Sequence, residues 1–166
     1  MSHTVRSDSR HDSWMAAALE QAAAAAGSGE VPIGAVVVRT AGAGSGAVGP
    51  GEVVAARHNE RETRGDPTAH AEVLALRDAA EALGRWRLED CVMVVTLEPC
   101  PMCAGALWAS RIAGVVWGAA NDEAGALGSL YNLGADPRLN HEFWSRGGVR
   151  GDECGALLAG FFAERR

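Results

Sequence analysis

Two short stretches of this sequence contain residue types that bind metal ions and move protons. Residues 66–72 (DPTAHAE) contain a His-x-Glu pair, and residues 98–103 (EPCPMC) contain Pro-Cys-x-x-Cys. A structural zinc site uses four protein ligands, whereas a catalytic site keeps one position open for water. The two stretches offer one fewer ligand than a structural site, together with a carboxylate that can carry protons. They predict one catalytic zinc ion per chain, with these ligands and this carboxylate: His70, Cys100, Cys103 and Glu72.

The first stretch also has the features of a helix start. Asp66 is a good N-cap residue and Pro67 suits a first helical position, so we expect a helix over 67–80. In a regular helix, however, His70 and Glu72 would point roughly 200° apart. The site therefore requires a pocket across the N-terminal end of the helix, with Glu72 outside the set of metal ligands.

The second stretch predicts a helix over 101–110, after a strand that ends near Leu97. Pro101 reads as the first helical residue, and Cys100 and Cys103, three residues apart, can face one metal ion. The positive end of the helix, with the metal, favours thiolates. Alone, Cys-x-x-Cys is also typical of redox pairs and of structural zinc half-sites, and a lone helical histidine usually lies in the core or on the surface. The combination favours catalytic zinc.

Length and composition bound the remaining possibilities. A chain of 166 residues is expected to form a single domain over 12–166, preceded by a disordered tail over 1–11. It contains no apolar run near twenty residues and no hydrophobic segment among its first fourteen, which predicts a soluble protein without a secretory signal. Four cysteines fit a reduced, cytoplasmic environment better than a disulfide framework, and we expect Cys91 and Cys154 to be ordinary buried residues. A net charge of −6 means that any RNA must meet a local basic patch.

Hydrophobic patterning predicts the remaining elements and the fold class. We expect a three-layer α/β/α sandwich around a mixed sheet, because a helix and a hairpin precede alternating helices and strands. A long loop is expected over 121–140. The other predicted elements are helices over 12–26 and 152–164 and strands over 31–38, 52–57, 91–97 and 113–117.

The glycine-rich loop over 40–51 contains a match to a dinucleotide-binding pattern. Residues 44–49 (GSGAVG) read Gly-x-Gly-x-x-Gly after a strand. That pattern requires a following helix whose N-terminus meets the phosphates, whereas Pro50, Gly51 and a second predicted strand follow here. We therefore reject a nucleotide site in this loop.

The chain resembles the bacterial tRNA-specific adenosine deaminases, which are zinc deaminases of the cytidine deaminase-like fold. The zinc motif is common to the superfamily, while the Gly-x-x-Gly-Ser loop and the Leu-Asn-His triplet point to the tRNA branch. The resemblance implies a homodimer that converts adenosine to inosine at the wobble position of a tRNA anticodon. It extends from Trp14 to Phe162 and is carried by residues 30–35 (EVPIGA), 66–72, 96–106, 110–112 (SRI), 125–129 (GALGS), 139–141 (LNH) and 154–158 (CGALL).

The resemblance also implies roles for residues outside the zinc motif. Asn59 would hydrogen-bond the purine through its amide, and Ala71 would contact the ring through its backbone. The alternatives are that Asn59 is a turn residue, that Phe161 and Phe162 are core residues, and that Arg165 and Arg166 are solvated surface residues. The residues that would line the pocket are Val31, Pro32 and Leu97. The residues that would contact the anticodon stem-loop are Arg111, Asn140, Phe161, Phe162, Arg165 and Arg166.

The chain departs from the family at two places. The family usually carries an Asp within reach of the target ribose, and this chain has Asn121 there, with Asp122 directly after it. The loop over 40–51 is also longer than the family pattern. Three other functions remain open: deamination of a free guanine- or cytosine-type base or nucleoside, a non-catalytic zinc module acting as a partner subunit, and redox use of Cys100 and Cys103.

Overall fold

The computed structural model describes residues 8–40 and 50–166. Within these residues the helices and strands are, in chain order, α1 Ser9–Gly27, β1 Gly34–Arg39, β2 Glu52–His58, α2 Arg61–Arg64, α3 Ala71–Leu83, β3 Cys91–Leu97, α4 Pro101–Ala109, β4 Gly114–Ala119, β5 Trp144–Arg146 and α5 Gly151–Ala163.

The strands form one mixed sheet in the order β2-β1-β3-β4-β5. Strand β1 pairs antiparallel with both β2 and β3, whereas β3, β4 and β5 run parallel. Helix α4 forms the crossover between β3 and β4, whereas residues 120–143, which contain no helix, connect β4 to β5. The carboxyl end of the central strand β3 leads directly into the Pro-Cys-x-x-Cys segment.

Alternating side chains of the sheet enter two separate cores. Ala35 and Val37 of β1 face the core that contains residues of α3 and α4. Val36 and Val38 face the opposite core, which contains residues of α1 and α5. A strand places successive side chains on opposite faces, so a sheet with helices on both faces has strands that are apolar throughout. The predicted three-layer α/β/α sandwich is therefore confirmed.

The N-terminal elements differ from their predicted limits. Helix α1 begins at Ser9 rather than near Asp12, because the Asp8 side chain accepts a hydrogen bond from the Arg10 backbone N–H and caps the helix. The first seven residues of the predicted tail lie outside the described residues. Strand β1 begins at Gly34 rather than Val31, and there α1 crosses it so closely that a Cβ on Gly34 would lie 2.0 Å from the Ala18 carbonyl oxygen.

Two short elements of the fold were not predicted. Helix α2 occupies part of the predicted loop between β2 and the His-x-Glu motif, and β5 adds a parallel edge strand beside β4. The rejected glycine pattern over 44–49 lies outside the described residues. Among the helices that are described, none is long and apolar enough to cross a membrane.

Candidate active site

The His-x-Glu motif lies at the start of α3, but the helix begins later than predicted. The first helical residue is Ala71 and the N-cap is His70, whose backbone is extended (φ −75°, ψ 149°). Asp66 instead accepts hydrogen bonds from the backbone N–H and the hydroxyl of Thr68, both at 2.8 Å, and closes a local turn. The predicted start at Pro67 is therefore wrong. Because His70 lies outside the helix, it and Glu72 need not point in opposite directions.

The Pro-Cys-x-x-Cys motif lies at the start of α4, as predicted. Cys100 is the N-cap with an extended backbone, Pro101 occupies the first helical turn, and Cys103 follows inside the helix. Proline is favoured at the start of a helix because its missing N–H would have no intrahelical partner there. The two cysteine sulfurs and His70 are thus all placed by the N-terminal ends of two helices.

His70, Cys100 and Cys103 form a cluster with metal-site geometry. Their ligand atoms all lie within 4.8 Å of one another. The His70 Nδ1 atom lies 3.8 Å from the Cys100 sulfur and 3.6 Å from the Cys103 sulfur. Tetrahedral zinc with Zn–S of about 2.3 Å and Zn–N of about 2.0 Å separates such atoms by about 3.5 Å. The donor set and its spacing therefore fit zinc bound through Nδ1 of the histidine.

The electrostatics of the cluster favour an anionic sulfur. Cys100 accepts hydrogen bonds from the Cys103 thiol and from His70, and these lower the pKa of Cys100 to about 4 although burial opposes the shift. The hydrogen bond to Cys100 likewise raises the pKa of His70. The N-terminus of α4 adds the partial positive charge of the helix dipole beside Cys100. A thiolate is the form that binds a metal ion.

Glu72 is buried beside this cluster, in the first turn of α3. Its side chain is only 4% exposed. Burial raises the pKa of Glu72, while the nearby Cys103 and His70 act in the opposite direction. A carboxyl group in such surroundings exchanges a proton closer to neutral pH than an exposed one.

A second buried carboxylate, Glu30, organises the segment before the His-x-Glu motif. Glu30 is fully buried and accepts hydrogen bonds from the Thr63 backbone N–H at 2.5 Å and the Thr63 hydroxyl at 2.6 Å. The Asn59 side-chain amide also donates to it, at 3.4 Å. Burial alone would raise the pKa of Glu30, but the hydrogen bonds from Thr63 and its neighbours lower it. Sequence reasoning gave Glu30 no role, although an acid directly before an apolar run was a visible signal.

The predicted pocket residues lie on several elements that meet near this end of the sheet. Asn59 directly follows β2 and is buried, and Ala71 is the buried first residue of α3. Leu97 is the last residue of β3. Val31 and Pro32 lie in the segment before β1, where Pro32 is buried and Val31 is half-buried.

Asn121 lies in the loop after β4. A third buried acid, Glu98, accepts hydrogen bonds from this loop. The Asn121 backbone N–H donates to the Glu98 carboxylate at 3.3 Å, and the Asn121 side-chain oxygen accepts from the Ala124 backbone N–H at 3.0 Å. The loop therefore uses the oxygen of this amide for its own turn. The amide nitrogen is the part of the side chain left to donate to a ligand.

The predicted RNA contacts fall into two groups. Arg111 and Asn140 contact each other, with the guanidinium donating to the Asn140 side-chain oxygen at 3.0 Å. At the chain's end, Phe162 is 48% exposed, whereas Phe161 is buried beneath the Arg165 guanidinium, 3.4 Å from the ring centre. The burial of Phe161 agrees with the alternative that the sequence left open, and a contact of Phe161 with RNA stays a prediction.

The chain matches the MafB19-like deaminase family over residues 9–166. It is 46% identical to a tRNA-specific adenosine deaminase of Bacillus subtilis, over 92% of this chain and 89% of the relative. A solved structure from work on A-to-I editing by tRNA:A34 deaminases at the wobble position superposes with a TM-score of 0.79 at 36% identity, covering 88% of this chain and 99% of the other. A guanine deaminase from Nitrosomonas europaea superposes with a TM-score of 0.72 at 26% identity, covering 92% and 84%.

Proposed function

We propose that this chain, which belongs to the family of tRNA-specific adenosine deaminases, converts adenosine to inosine at the wobble position of a tRNA anticodon. The reaction is a hydrolysis of the exocyclic C–N bond of a cyclic amidine: water adds at C6 of adenine and ammonia leaves. The observation that carries the proposal is the cluster of one histidine and two cysteines beside the buried Glu72. Because its substrate is tRNA, we place the enzyme in the cytoplasm.

The proposed mechanism uses Glu72 as the single proton carrier. His70, Cys100 and Cys103 would hold a zinc ion, which would supply the Lewis acid that makes water acidic enough to attack near neutral pH. The Glu72 carboxylate accepts a proton from the attacking water and passes it to N1 of the adenine ring. It then takes the proton of the new C6 hydroxyl and delivers it to the departing amine, after which the C6–N bond breaks, ammonia leaves and the ring carbonyl of inosine remains. A buried carboxyl with a raised pKa suits both directions of transfer.

The surrounding side chains would recognise the base and its sugar. In this proposal Asn59, whose amide is held by Glu30, hydrogen-bonds the purine, and the Ala71 backbone contacts the ring edge. Asn121 lies within reach of the target ribose. The apolar walls are Val31, Pro32 and Leu97. Little free energy is needed to separate an unpaired anticodon base from its neighbours, which suits a pocket that accepts one base.

The stem-loop would be held by the exposed C-terminal residues and by the side chains at the end of α4. Phe162, Arg165 and Arg166 are exposed at the end of the chain. Arg111 and Asn140 form a paired polar contact at the surface. Since the net charge is −6, binding should depend on these local cations rather than on the whole protein.

The deciding experiment incubates the purified enzyme with an unmodified anticodon stem-loop and, separately, with free adenosine, guanine and cytidine, and measures inosine or the other deaminated products. Inosine in the stem-loop with little turnover of the free compounds is expected. Efficient turnover of a free compound without any of the stem-loop would favour the second candidate, a nucleobase deaminase similar to the guanine deaminase above.

A binding experiment tests the RNA contacts separately. Stem-loop affinity should fall with salt, with a log–log slope of roughly −0.7 per phosphate contact. Arg165→Ala combined with Arg166→Ala should weaken binding and flatten the slope while zinc content stays unchanged. Equal affinity and equal slope in the double variant would remove these two residues from the RNA interface.

We also propose a homodimer. An open groove of about 380 Å³ lies between α3 and α4 and includes Val73, Leu76, Ala106 and Ala109. Trp86 at its edge is 58% exposed. A second copy of α4, which is rich in small residues, fits such a surface. Light scattering should give a dimer for the natural chain and a monomer for Ala109→Glu, with Ala156→Glu on exposed α5 as the control; a monomeric natural chain would contradict this proposal.

A further inference from the structure

The buried carboxylate of Glu98 is not used by the mechanism above, although it lies two residues before Cys100. Glu98 is 1% exposed. One carboxylate oxygen accepts hydrogen bonds from the Ser129 hydroxyl at 2.5 Å and the Asn121 backbone N–H at 3.3 Å. The other accepts from the backbone N–H groups of Leu127 and Ser129, both at 3.1 Å. Both oxygens therefore have their partners within one loop.

The loop over 121–129 is shaped to bring these donors together. A Cβ on Gly125 would lie 2.4 Å from the Glu98 carboxylate and 2.5 Å from the Asn121 carbonyl oxygen, so only glycine fits where the loop folds over the acid. The Gly125 backbone N–H donates to that Asn121 carbonyl at 2.8 Å. The loop thus wraps around one charged group, while its Ala126 and Leu127 side chains pack in the core that also contains residues of α3 and α4.

Asn121 is the point where this loop reaches the proposed substrate. Its backbone N–H is fixed by Glu98, its carbonyl by Gly125, and its side-chain oxygen by Ala124. Glu98 itself is rigidly connected to Cys100 through the buried Pro99. The same carboxylate therefore links the loop that carries Asn121 to the segment that carries a metal ligand.

We propose that Glu98 is a positioning residue that fixes where Asn121 stands relative to the metal cluster, and so sets how well the enzyme binds the target nucleoside in RNA. The inference rests on the proposed function. Glu98 itself does not touch the substrate, because each of its oxygens is already occupied by donors of the protein. Its loss should therefore weaken productive binding more than it slows the chemical step.

The substitution Glu98→Gln tests this role with little change of volume. The amide NH₂ cannot accept a hydrogen bond. If it replaced the oxygen facing Leu127 and Ser129, two backbone N–H groups would lose their acceptor. If it replaced the other oxygen, the Ser129 hydroxyl could rotate to accept from it, and only the Asn121 N–H would be lost. The second orientation is favoured, so the variant should release Asn121 selectively.

The expected result is a KM for the anticodon stem-loop raised about tenfold to a hundredfold, because substrate binding would then have to supply the free energy with which this buried hydrogen bond holds Asn121 in place. The kcat value should change less than KM, and metal analysis should still give one zinc per chain. Ser129→Ala, which removes one donor at an exposed residue, should raise KM in the same direction but by less. Glu123→Gln, an exposed acid of the same loop, serves as the control and should leave KM unchanged.

Several outcomes would overturn the inference. An unchanged KM in Glu98→Gln would contradict the positioning role. A loss of zinc and of kcat with KM unchanged would also contradict it and would show that Glu98 supports the metal site instead. If Glu98→Gln does not fold, Ser129→Ala decides: an unchanged KM overturns the role and a raised KM supports it. A natural chain that forms no inosine in the stem-loop would overturn the proposed function first, and the two failures are therefore distinguishable.

Discussion

The sharpest test of the proposed mechanism is Glu72→Gln, which removes the proton carrier and preserves its shape. General acid–base catalysis contributes about 10²–10⁴-fold to a rate. Glu72 is 4% exposed, so solvent water has little access with which to replace the lost carboxylate. The same residue also serves two successive proton transfers in the mechanism. We therefore expect a loss in the upper part of that range, about 10³–10⁴-fold.

Single-turnover inosine formation with enzyme in excess over stem-loop isolates the chemical step from binding and product release. The matched control is Glu81→Gln, which makes the same chemical change at an exposed position of the same helix. Glu81→Gln should keep full activity. Zinc content and stem-loop affinity should be unchanged in both variants, because neither substitution removes a ligand atom of the cluster.

The variant also has an expected effect on stability. Burial raises the pKa of Glu72, so the metal-free fold pays for an ionised carboxyl as the pH rises above the ordinary value of 4.5. Glu72→Gln removes this charge. After chelation of zinc, the melting temperature of the variant at pH 7 should therefore equal or exceed that of the natural chain. Near-native single-turnover rates in Glu72→Gln would refute the assigned role, and a large loss of stability would refute the electrostatic reasoning.

Three further predictions follow from the same residues. Cys100→Ala should lose zinc in metal analysis, because it deletes a sulfur of the cluster; full retention would mean that the ligand assignment is wrong. Glu30→Gln should lower the melting temperature at neutral pH, and the difference from the natural chain should shrink as the pH falls below 4.5, since the folded pKa of Glu30 is depressed and its contribution is lost on protonation; a difference that does not vary with pH would contradict this. Asn121→Asp should increase the preference for RNA over a matched DNA hairpin, because a carboxylate accepts from a ribose 2′-OH and repels backbone phosphates; equal ratios of inosine yields would contradict this.

The elements that the sequence predicted well are those whose local signals and burial agree. Strand β3 has the predicted limits because six of its seven residues, Cys91 to Thr96, are buried, as an apolar strand covered on both faces requires. Helix α4 begins as predicted because Pro101 follows directly after the end of a buried segment. In both cases propensity and tertiary packing favour the same limits.

The sequence predictions fail where contacts between residues distant in the sequence determine the structure. Strand β5 is only three residues long, and its side chains are largely exposed, so no periodic pattern indicates it. It exists because its backbone pairs with β4 and the Trp144 indole packs over Gly114, where a Cβ would lie 2.0 Å from the ring. Glu30 and Glu98 were not given roles because their hydrogen-bond donors are more than twenty residues away in sequence.

The wrong start of α3 has a physical cause that also bears on function. Asp66 and Pro67 are better helix-starting residues than His70 and Ala71. Asp66 nevertheless caps a turn at Thr68, and the helix begins only at Ala71. His70, and likewise Cys100 at α4, occupy N-cap positions without making a side-chain capping hydrogen bond. A good N-cap side chain stabilises a helix by about 1 kcal/mol, which both helices forgo.

The His70 and Cys100 side chains extend from the ends of their helices toward one point. Positions inside the helices would turn these two side chains away from each other. The extended backbone of a cap residue is what frees its side chain from the helix surface. The positive N-terminal end of α4 also lies beside the Cys100 sulfur. Two helices thus begin without a side-chain cap, and both begin at the same cluster. No gain in folding stability accounts for these two starts, and such departures from local preference are expected at functional sites.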